Sequence, residues 1–249
     1  FNSYYNNVGT RILQTNRGNM SRPSTGSILD YRKYVDKKMQ EFLTDLSDKN
    51  IIDLIVLGLN HEQQHQELLK TDVKYMLGHN PIFPILNEGL CLVSDRNESQ
   101  ESVKIDAGVY EIGYQGNDFC YDNELGVHKV YVDDFEVNNH LITNGEYLEF
   151  IESGAYSDFN LWLDEGWSWV KDNQINSPMY WHKMEGEWHN YTLAGLQKVD
   201  REAILCHINY YEACAFSEWK GMRLPTEFEW EIASQQLNWG KRWEWTNSA

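Results

Sequence analysis

The spacing of apolar residues changes once along the chain, and this change limits the possible folds more than any other feature. Ile28, Tyr31, Val35, Met39 and Phe42 recur at helical spacing, and a second, longer helical pattern follows them. After a polar connector punctuated by prolines, short alternating segments replace the helical period. The sequence therefore predicts an α+β protein, with an N-terminal helical bundle and a second part built from strands and short helices.

Three segments follow from this change: residues 1–80 as the helical bundle, 81–103 as a linker, and 104–249 as the second domain. Ser24 or Ser27 is expected to cap the first helix. The other expected elements are helices near 27–46, 51–77, 143–153 and 210–220, strands near 108–113 and 129–132, and a helix that starts at Thr226 with Glu229 as its capping-box partner.

Composition excludes two classes of partner. The formal net charge is −17 without a run of Lys or Arg, and such a field repels phosphate backbones, so we expect no nucleic-acid partner. No stretch approaches the roughly 18 apolar residues that a membrane span needs. The four cysteines (Cys91, Cys120, Cys206 and Cys214) form no C-x-x-C pair, which favours ordinary buried thiols in a reducing cytoplasm.

The H-E-Q-Q-H sequence at residues 61–65 places two histidines inside the longer predicted helix. A spacing of four residues brings both imidazoles to one face, about one turn apart, as two cis ligands of one metal ion require. With His61 at zero and about 100° per residue, His65 lies near 40° and Leu68 near −20°. Both histidines are therefore predicted on the apolar, inward face, as a metal-binding pair.

The carboxylates near this pair are not placed to be ligands. Glu67 falls about 160° around the helix from His65, and its expected partner is Lys70 at i+3. Asp72 shares the histidine side but lies two turns from His65, so it is expected as an outer partner or a structural ion pair. At least one further ligand must come from elsewhere, and a three-histidine or two-histidine-one-carboxylate set suits iron or zinc chemistry.

The same five letters also spell the H-E-x-x-H signature of zinc proteases, with Glu62 as general base. The extended form of that signature fails, because Leu68 and Thr71 stand where Gly and His should be. Glu88 is a downstream carboxylate, but it follows a proline-punctuated loop rather than lying on an obvious helix. A zinc protease remains an alternative reading of the motif.

Four groups of residues form an ordered series in the first third of the chain. They are Phe1-Asn2-Ser3-Tyr4-Tyr5; Arg17-Gly18 with Ser21-Arg22-Pro23; Tyr31-Arg32 with Val35-Asp36; and the run from His61 to Leu69 with Thr71-Asp72. This series resembles the DinB-like domain of EgtB-type sulfoxide synthases, which act in ergothioneine biosynthesis.

The second part resembles the formylglycine-generating-enzyme (sulfatase-modifying-factor) domain of the same family, a C-type-lectin-like fold. The resemblance covers nearly the whole chain in order. The matching segments are Tyr121-Asp122-Asn123-Glu124, Thr143-Asn144-Gly145-Glu146-Tyr147, Leu161-Trp162 with Glu165-Gly166-Trp167, Pro178 with Tyr180-Trp181, the run from Gly221 to Glu231, and Trp243-Glu244-Trp245-Thr246.

The resemblance implies an enzyme that binds one non-haem Fe(II) through three histidines and uses O₂. Such enzymes join a cysteine-type thiol, from cysteine or γ-glutamylcysteine, to the imidazole of hercynine and give a sulfoxide. His61 and His65 match two of the iron ligands, and the resemblance places the third upstream of Phe1. Because the chain begins at Phe1 rather than Met and stops at Ala249 without a tail, we expect an internal fragment with a C-terminally incomplete second domain.

Four residues outside the histidine pair are candidates for the site. Tyr4 or Tyr5 matches a tyrosine pair implicated in one branch of the family, where a phenol near the iron can supply a proton or a hydrogen atom; aromatic packing is the alternative. Arg17 and Arg22 could hold substrate carboxylates, or they could be solvated loop charges.

Three other functions stay open from the sequence. An ovothiol-type 5-histidylcysteine sulfoxide synthase joins cysteine to histidine at another ring carbon. A non-catalytic DinB/lectin-like binding module would bind no metal. A zinc protease would use Glu62 as its base.

Overall fold

The computed structural model describes residues 21–90 and 101–248, together with Leu13, Thr15 and Asn19. Backbone contacts divide the chain into two compact units, Phe1–Gly58 and Leu59–Ala249. The division falls inside a long helix, so most of that helix belongs with the strands that follow it. Within the described residues, no helix has the length and apolar character that crossing a bilayer requires.

The N-terminal helices follow the predicted pattern. Helix α1 spans Thr25–Leu43, and the side chain of its N-cap Ser24 accepts a hydrogen bond from the Ser27 backbone N–H, so Ser24 is the cap of the two predicted. Helix α2 spans Lys49–Gly78 and is 30 residues long. Both histidines of the candidate metal pair lie on α2.

The described residues of the second unit form seven strands in three antiparallel sheets. The two-stranded sheets pair β1 with β4 and β2 with β3, and the three-stranded sheet has the order β5-β6-β7. Their bounds are β1 Ser102–Ile105, β2 Gly108–Ile112, β3 His128–Val132, β4 Phe135–Asn138, β5 Trp181–Met184, β6 Glu187–Thr192 and β7 Gly195–Lys198.

Four helices accompany these strands: α3 Asn144–Glu152, α4 Asp164–Asn173, α5 Tyr210–Trp219 and α6 Glu227–Ser234. Capping boxes start α3 at Thr143, α5 at Asn209 and α6 at Thr226. The Thr226–Glu229 box confirms the predicted start of α6. Helix α4 has no counterpart among the predicted elements, since it carries no side-chain cap and has Gly166 near its start.

The segment that connects α2 to the strands packs on the three-stranded sheet. The Leu86 backbone N–H donates to the Leu193 carbonyl at 2.9 Å, and the Tyr191 hydroxyl donates to the Pro84 carbonyl at 2.7 Å. A Cβ on Gly195 would lie 2.9 Å from Ile85 Cγ1, which shows how closely this segment approaches β7. The end of α2 is therefore tied to the sheet by the chain that follows it.

Two apolar clusters form the interior of the second unit. The larger is aromatic: Phe150 is fully buried, with its ring centroid 5.7 Å from that of Phe216, and Tyr147 stacks on Phe216 at 5.4 Å. The smaller cluster lies between the two-stranded sheets and α6, and its buried members are Ile105, Ile112, Val132, Ile232 and Ala233. Both clusters place α5 and α6 against the strands.

Arg223 holds the start of α6 together with the capping box. Its guanidinium donates to both carboxylate oxygens of Glu229, at 2.6 and 2.8 Å. These hydrogen bonds, with those from Thr226, hold the pKa of the Glu229 carboxyl at about 2. The run from Arg223 to Thr226 therefore acts as scaffold for the start of α6.

One carboxyl group lies inside the aromatic cluster. Glu212 is 2% exposed, and its Oε1 accepts the hydroxyl hydrogen of Tyr156 at 2.6 Å. Burial raises the pKa of the Glu212 carboxyl to about 7, although the hydrogen bonds from Tyr156 and from the Asn209 backbone act in the opposite direction. The Tyr147 and Tyr156 hydroxyls are 3.0 Å apart, so the carboxyl ends a short buried chain of polar groups.

Glu212 makes the stability of this domain fall as pH rises. Because the folded carboxyl keeps its proton up to about pH 7 and the unfolded one releases it near the ordinary value of 4.5, the free energy of unfolding should fall between these pH values, by at most about 3 kcal/mol. Glu212→Gln stays neutral and can still hydrogen-bond to Tyr156, so it should be more stable than wild type at pH 8 and similar at pH 5. Urea unfolding followed by fluorescence at both pH values measures this.

Glu218→Gln is the matched control, since Glu218 lies on the same helix and is exposed. It should change neither the stability nor its dependence on pH. A Glu212→Gln variant that loses stability equally at both pH values would contradict the assignment of the titration to Glu212.

Candidate metal centre

The two histidines of the H-E-Q-Q-H sequence lie side by side on α2. The ring centroids of His61 and His65 are 4.6 Å apart, with an interplanar angle of 74°. One helical turn therefore places both imidazoles side by side on one face of the helix, as the spacing predicted. Such a pair can supply two adjacent nitrogen ligands to one metal ion.

The histidine face of α2 is open, which differs from the prediction of an inward face. His61 and His65 are both exposed, and so are the apolar residues that share their side: Leu54 is 65% exposed, Leu68 58% and Met76 64%. Across residues 21–90 and 101–248, no three His, Cys, Asp or Glu side chains are grouped so that they could hold a metal ion. Within that part of the chain, no third side chain of these types joins the histidine pair.

The polar side of α2, which carries Glu67, makes hydrogen bonds to residues far along the chain. Glu67 accepts a hydrogen bond from the indole N–H of Trp243 at 2.5 Å, rather than forming the expected pair with Lys70. Lys74, which is half-buried, has its Nζ 2.7 Å from Nε2 of His207. A hydrophobic period cannot predict such contacts, because both are made by polar side chains.

Gly78 brings the end of α2 directly onto two tyrosine rings. A Cβ at this position would lie 2.7 Å from Cδ1 of Tyr180 and 2.9 Å from Cδ1 of Tyr191. Real Cβ atoms do not approach other heavy atoms so closely, so only glycine permits this packing.

Alanine substitutions at two glycines of α2 should therefore have opposite effects. Gly58→Ala meets nothing within 4 Å and should raise the free energy of unfolding by about 0.5–1 kcal/mol, because alanine loses less backbone entropy in a helix. Gly78→Ala should lower it, because the helix or both rings must move. Urea unfolding of the two variants side by side measures the difference, and equal stabilisation by both would contradict the close approach.

The other predicted site residues are placed as follows. Tyr4, Tyr5 and Arg17 lie outside the described residues. Arg22 is exposed, two residues before the N-cap Ser24. The structure therefore brings together His61 and His65, and on the opposite side of α2 it pairs Lys74 with His207, a contact for which the sequence held no local signal.

The strands and short helices belong to a recognised family. Residues 89–249 match the family described as the sulfatase-modifying factor enzyme 1-like domain, which includes all seven strands and helices α3 to α6. The chain belongs to this family. The match confirms the predicted sulfatase-modifying-factor domain, with its mixed helices and strands in a C-type-lectin-like fold.

Several individual proteins are similar in sequence to parts of this chain. The chain is 28% identical to the hercynine oxygenase of Mycolicibacterium smegmatis over 180 residues, which is 71% of this chain and 40% of that protein. It is 33% identical to the hercynine oxygenase of Mycobacterium tuberculosis over 112 residues, 45% of this chain and 26% of that protein. Similarity to the formylglycine-generating enzyme of Thermomonospora curvata is 27% over 160 residues, 58% of this chain and 52% of that protein.

The matches with the hercynine oxygenases thus span at most about two fifths of the length of those relatives.

Proposed function

We propose that this chain is part of a non-haem Fe(II)- and O₂-dependent sulfoxide synthase of ergothioneine biosynthesis, acting in the cytoplasm. The enzyme would join a cysteine-type thiol to the imidazole of hercynine. The observation that carries the proposal is the His61–His65 pair, with rings 4.6 Å apart, in a chain similar to hercynine oxygenases over 71% of its length.

The pair fits two of the three histidine positions that such an enzyme needs. Two neutral imidazoles suit ferrous iron, and a set of three protein ligands leaves positions for substrates. Bound Fe(II) would supply the activation of O₂. We propose that residues 1–80 belong to a DinB-like domain and that the third histidine ligand lies upstream of Phe1.

The residues of this chain would hold and orient the reactants. The open histidine face leaves space beside the imidazoles for a thiol and for hercynine, so that bond formation becomes an intramolecular event. We propose Tyr4 or Tyr5 as the group that supplies a proton during the reaction. Arg17 and Arg22 are proposed to bind substrate carboxylates through charge-assisted hydrogen bonds.

Removal of either histidine should remove the iron. In protein expressed from the complete coding sequence and loaded with Fe(II), His61→Ala and His65→Ala should each lower the iron content from about one per protein to near zero. Oxygen uptake that depends on hercynine should be lost with the iron, because each variant keeps only one of the two histidine ligands on α2. Iron analysis and an oxygen electrode measure both effects.

Lys70→Ala serves as the control, since Lys70 is exposed on α2 about 180° from His61. It should keep both iron and oxygen uptake. Unchanged iron in both histidine variants would refute the metal assignment.

The products identify the substrates. Mass spectrometry after incubation with Fe(II), O₂, hercynine and either cysteine or γ-glutamylcysteine should show a sulfoxide that contains the imidazole and one of the thiols. Replacing hercynine with histidine tests the ovothiol-type reaction. A product from histidine and cysteine, with none from hercynine, would favour the ovothiol-type enzyme instead.

A further inference from the structure

Three residues of α2 form one stripe that contacts the rest of the second unit: Glu67, Lys74 and Gly78. At about 100° per residue from His61, they lie near 240°, 220° and 260°, within about 40° of one another. His61 and His65 lie at about 0° and 40° on the same scale. This docking stripe is therefore about 140° away from the histidine pair, on the opposite side of the helix.

Lys74, which is half-buried, contacts both His207 and Tyr180. Its ammonium lies 2.7 Å from Nε2 of His207 and 4.9 Å from the centre of the Tyr180 ring. Burial, with the charges of Lys74 and Arg242, lowers the pKa of the His207 imidazole to about 4. His207 is therefore neutral at pH 7 and accepts the hydrogen bond, which gives the contact a fixed direction.

The two residues that receive Lys74 have unusual backbone conformations. Tyr180 has a φ of +71° and His207 a φ of +66°, both in the left-handed region that residues with a Cβ rarely adopt. Their rings meet edge to face at 4.9 Å, and the Met179 backbone N–H donates to the His207 carbonyl at 3.3 Å. Such strain persists only where the surrounding structure fixes it, so the receiving site is rigid.

Glu67 contacts the Trp-Glu-Trp-Thr segment at 243–246, which is itself anchored. The indole N–H of Trp245 donates to the Ile208 carbonyl at 3.1 Å, and Glu244 accepts the indole N–H of Trp230 at 3.1 Å. Trp243, the residue just before these anchors, donates to Glu67, and its side chain is 88% exposed. This contact and the Lys74 contact are seven residues, about two turns, apart on α2, so together they fix the rotation of the helix about its axis.

We propose that the docking stripe positions the histidine pair, with Lys74 and Glu67 as positioning residues that set the direction in which His61 and His65 point from the family domain. A rotation of α2 by one residue would turn the pair by about 100°. The catalytic consequence rests on the proposed function. Both histidines lie on the same helix and turn together. Loss of the docking-stripe contacts should therefore leave the two rings side by side but change the direction in which both point from the family domain.

Lys74→Met tests the catalytic consequence in the iron-loaded complete protein. Methionine keeps the length of the stem and removes the buried charge together with its hydrogen bond, so the urea midpoint should not fall. The iron content should stay near one per protein, while kcat for hercynine falls at least tenfold. This result would be unlike that of His61→Ala, which loses iron and turnover together.

Lys70→Met is the matched control, because Lys70 is exposed on the same helix and is not part of the docking stripe, and it should leave kcat unchanged. An unchanged kcat in Lys74→Met overturns the positioning role. A loss of stability could also lower kcat. If Lys74→Met lowers the urea midpoint, and adding Gly58→Ala restores both the midpoint and kcat, the positioning role is likewise overturned. Failure of the wild-type protein to bind iron or to consume hercynine counts against the proposed function alone.

A distance measurement tests the orientation without any enzymatic readout. Iron-free protein carrying Val109→His and Glu111→His gains a second histidine pair on one exposed face of strand β2. Cu(II) bound at both pairs permits a pulsed electron–electron distance measurement, which should give one narrow distribution. Adding Lys74→Met and Glu67→Ala should broaden or shift that distribution, and an identical distribution would overturn the proposal.

Discussion

The close approach of α2 to the family domain at Gly78 is the constraint on which the arrangement of the candidate site depends. No side chain fits between this point of the helix and the rings of Tyr180 and Tyr191. Because the backbone at the end of α2 packs against these rings, Lys74, one turn earlier, lies within reach of His207. With that side of the helix occupied, the histidine pair is left on the open side, where small molecules can reach it.

The family domain can serve as a rigid support because its helices begin at firmly bonded residues. Glu229 combines a capping box with two hydrogen bonds from Arg223, and Glu212 combines a capping box with the hydroxyl of Tyr156. The two carboxyl groups nevertheless behave differently. Arginine and a partly open site keep Glu229 ionised, whereas the aromatic interior keeps Glu212 protonated in mildly acid solution.

Local features of the sequence predicted much of this structure. The two long helices, the caps at Ser24 and Thr226, and the single-turn spacing of His61 and His65 depend on neighbours a few residues away. The buried face of α2 could not be predicted in the same way. Its partners are 133 and 176 residues distant in the chain, and they bind polar side chains that a hydrophobic period assigns to solvent.

The left-handed conformations of Tyr180 and His207 have a consequence for attempts to stabilise this protein. Asparagine or glycine at position 207 would relieve backbone strain of about 1–3 kcal/mol, so a search for thermostable variants would select them. The same changes would remove the imidazole that receives Lys74. Selection for heat resistance would therefore favour replacement of His207, whereas selection for turnover would favour its retention. A screen that scores only heat resistance would reward variants that have lost turnover.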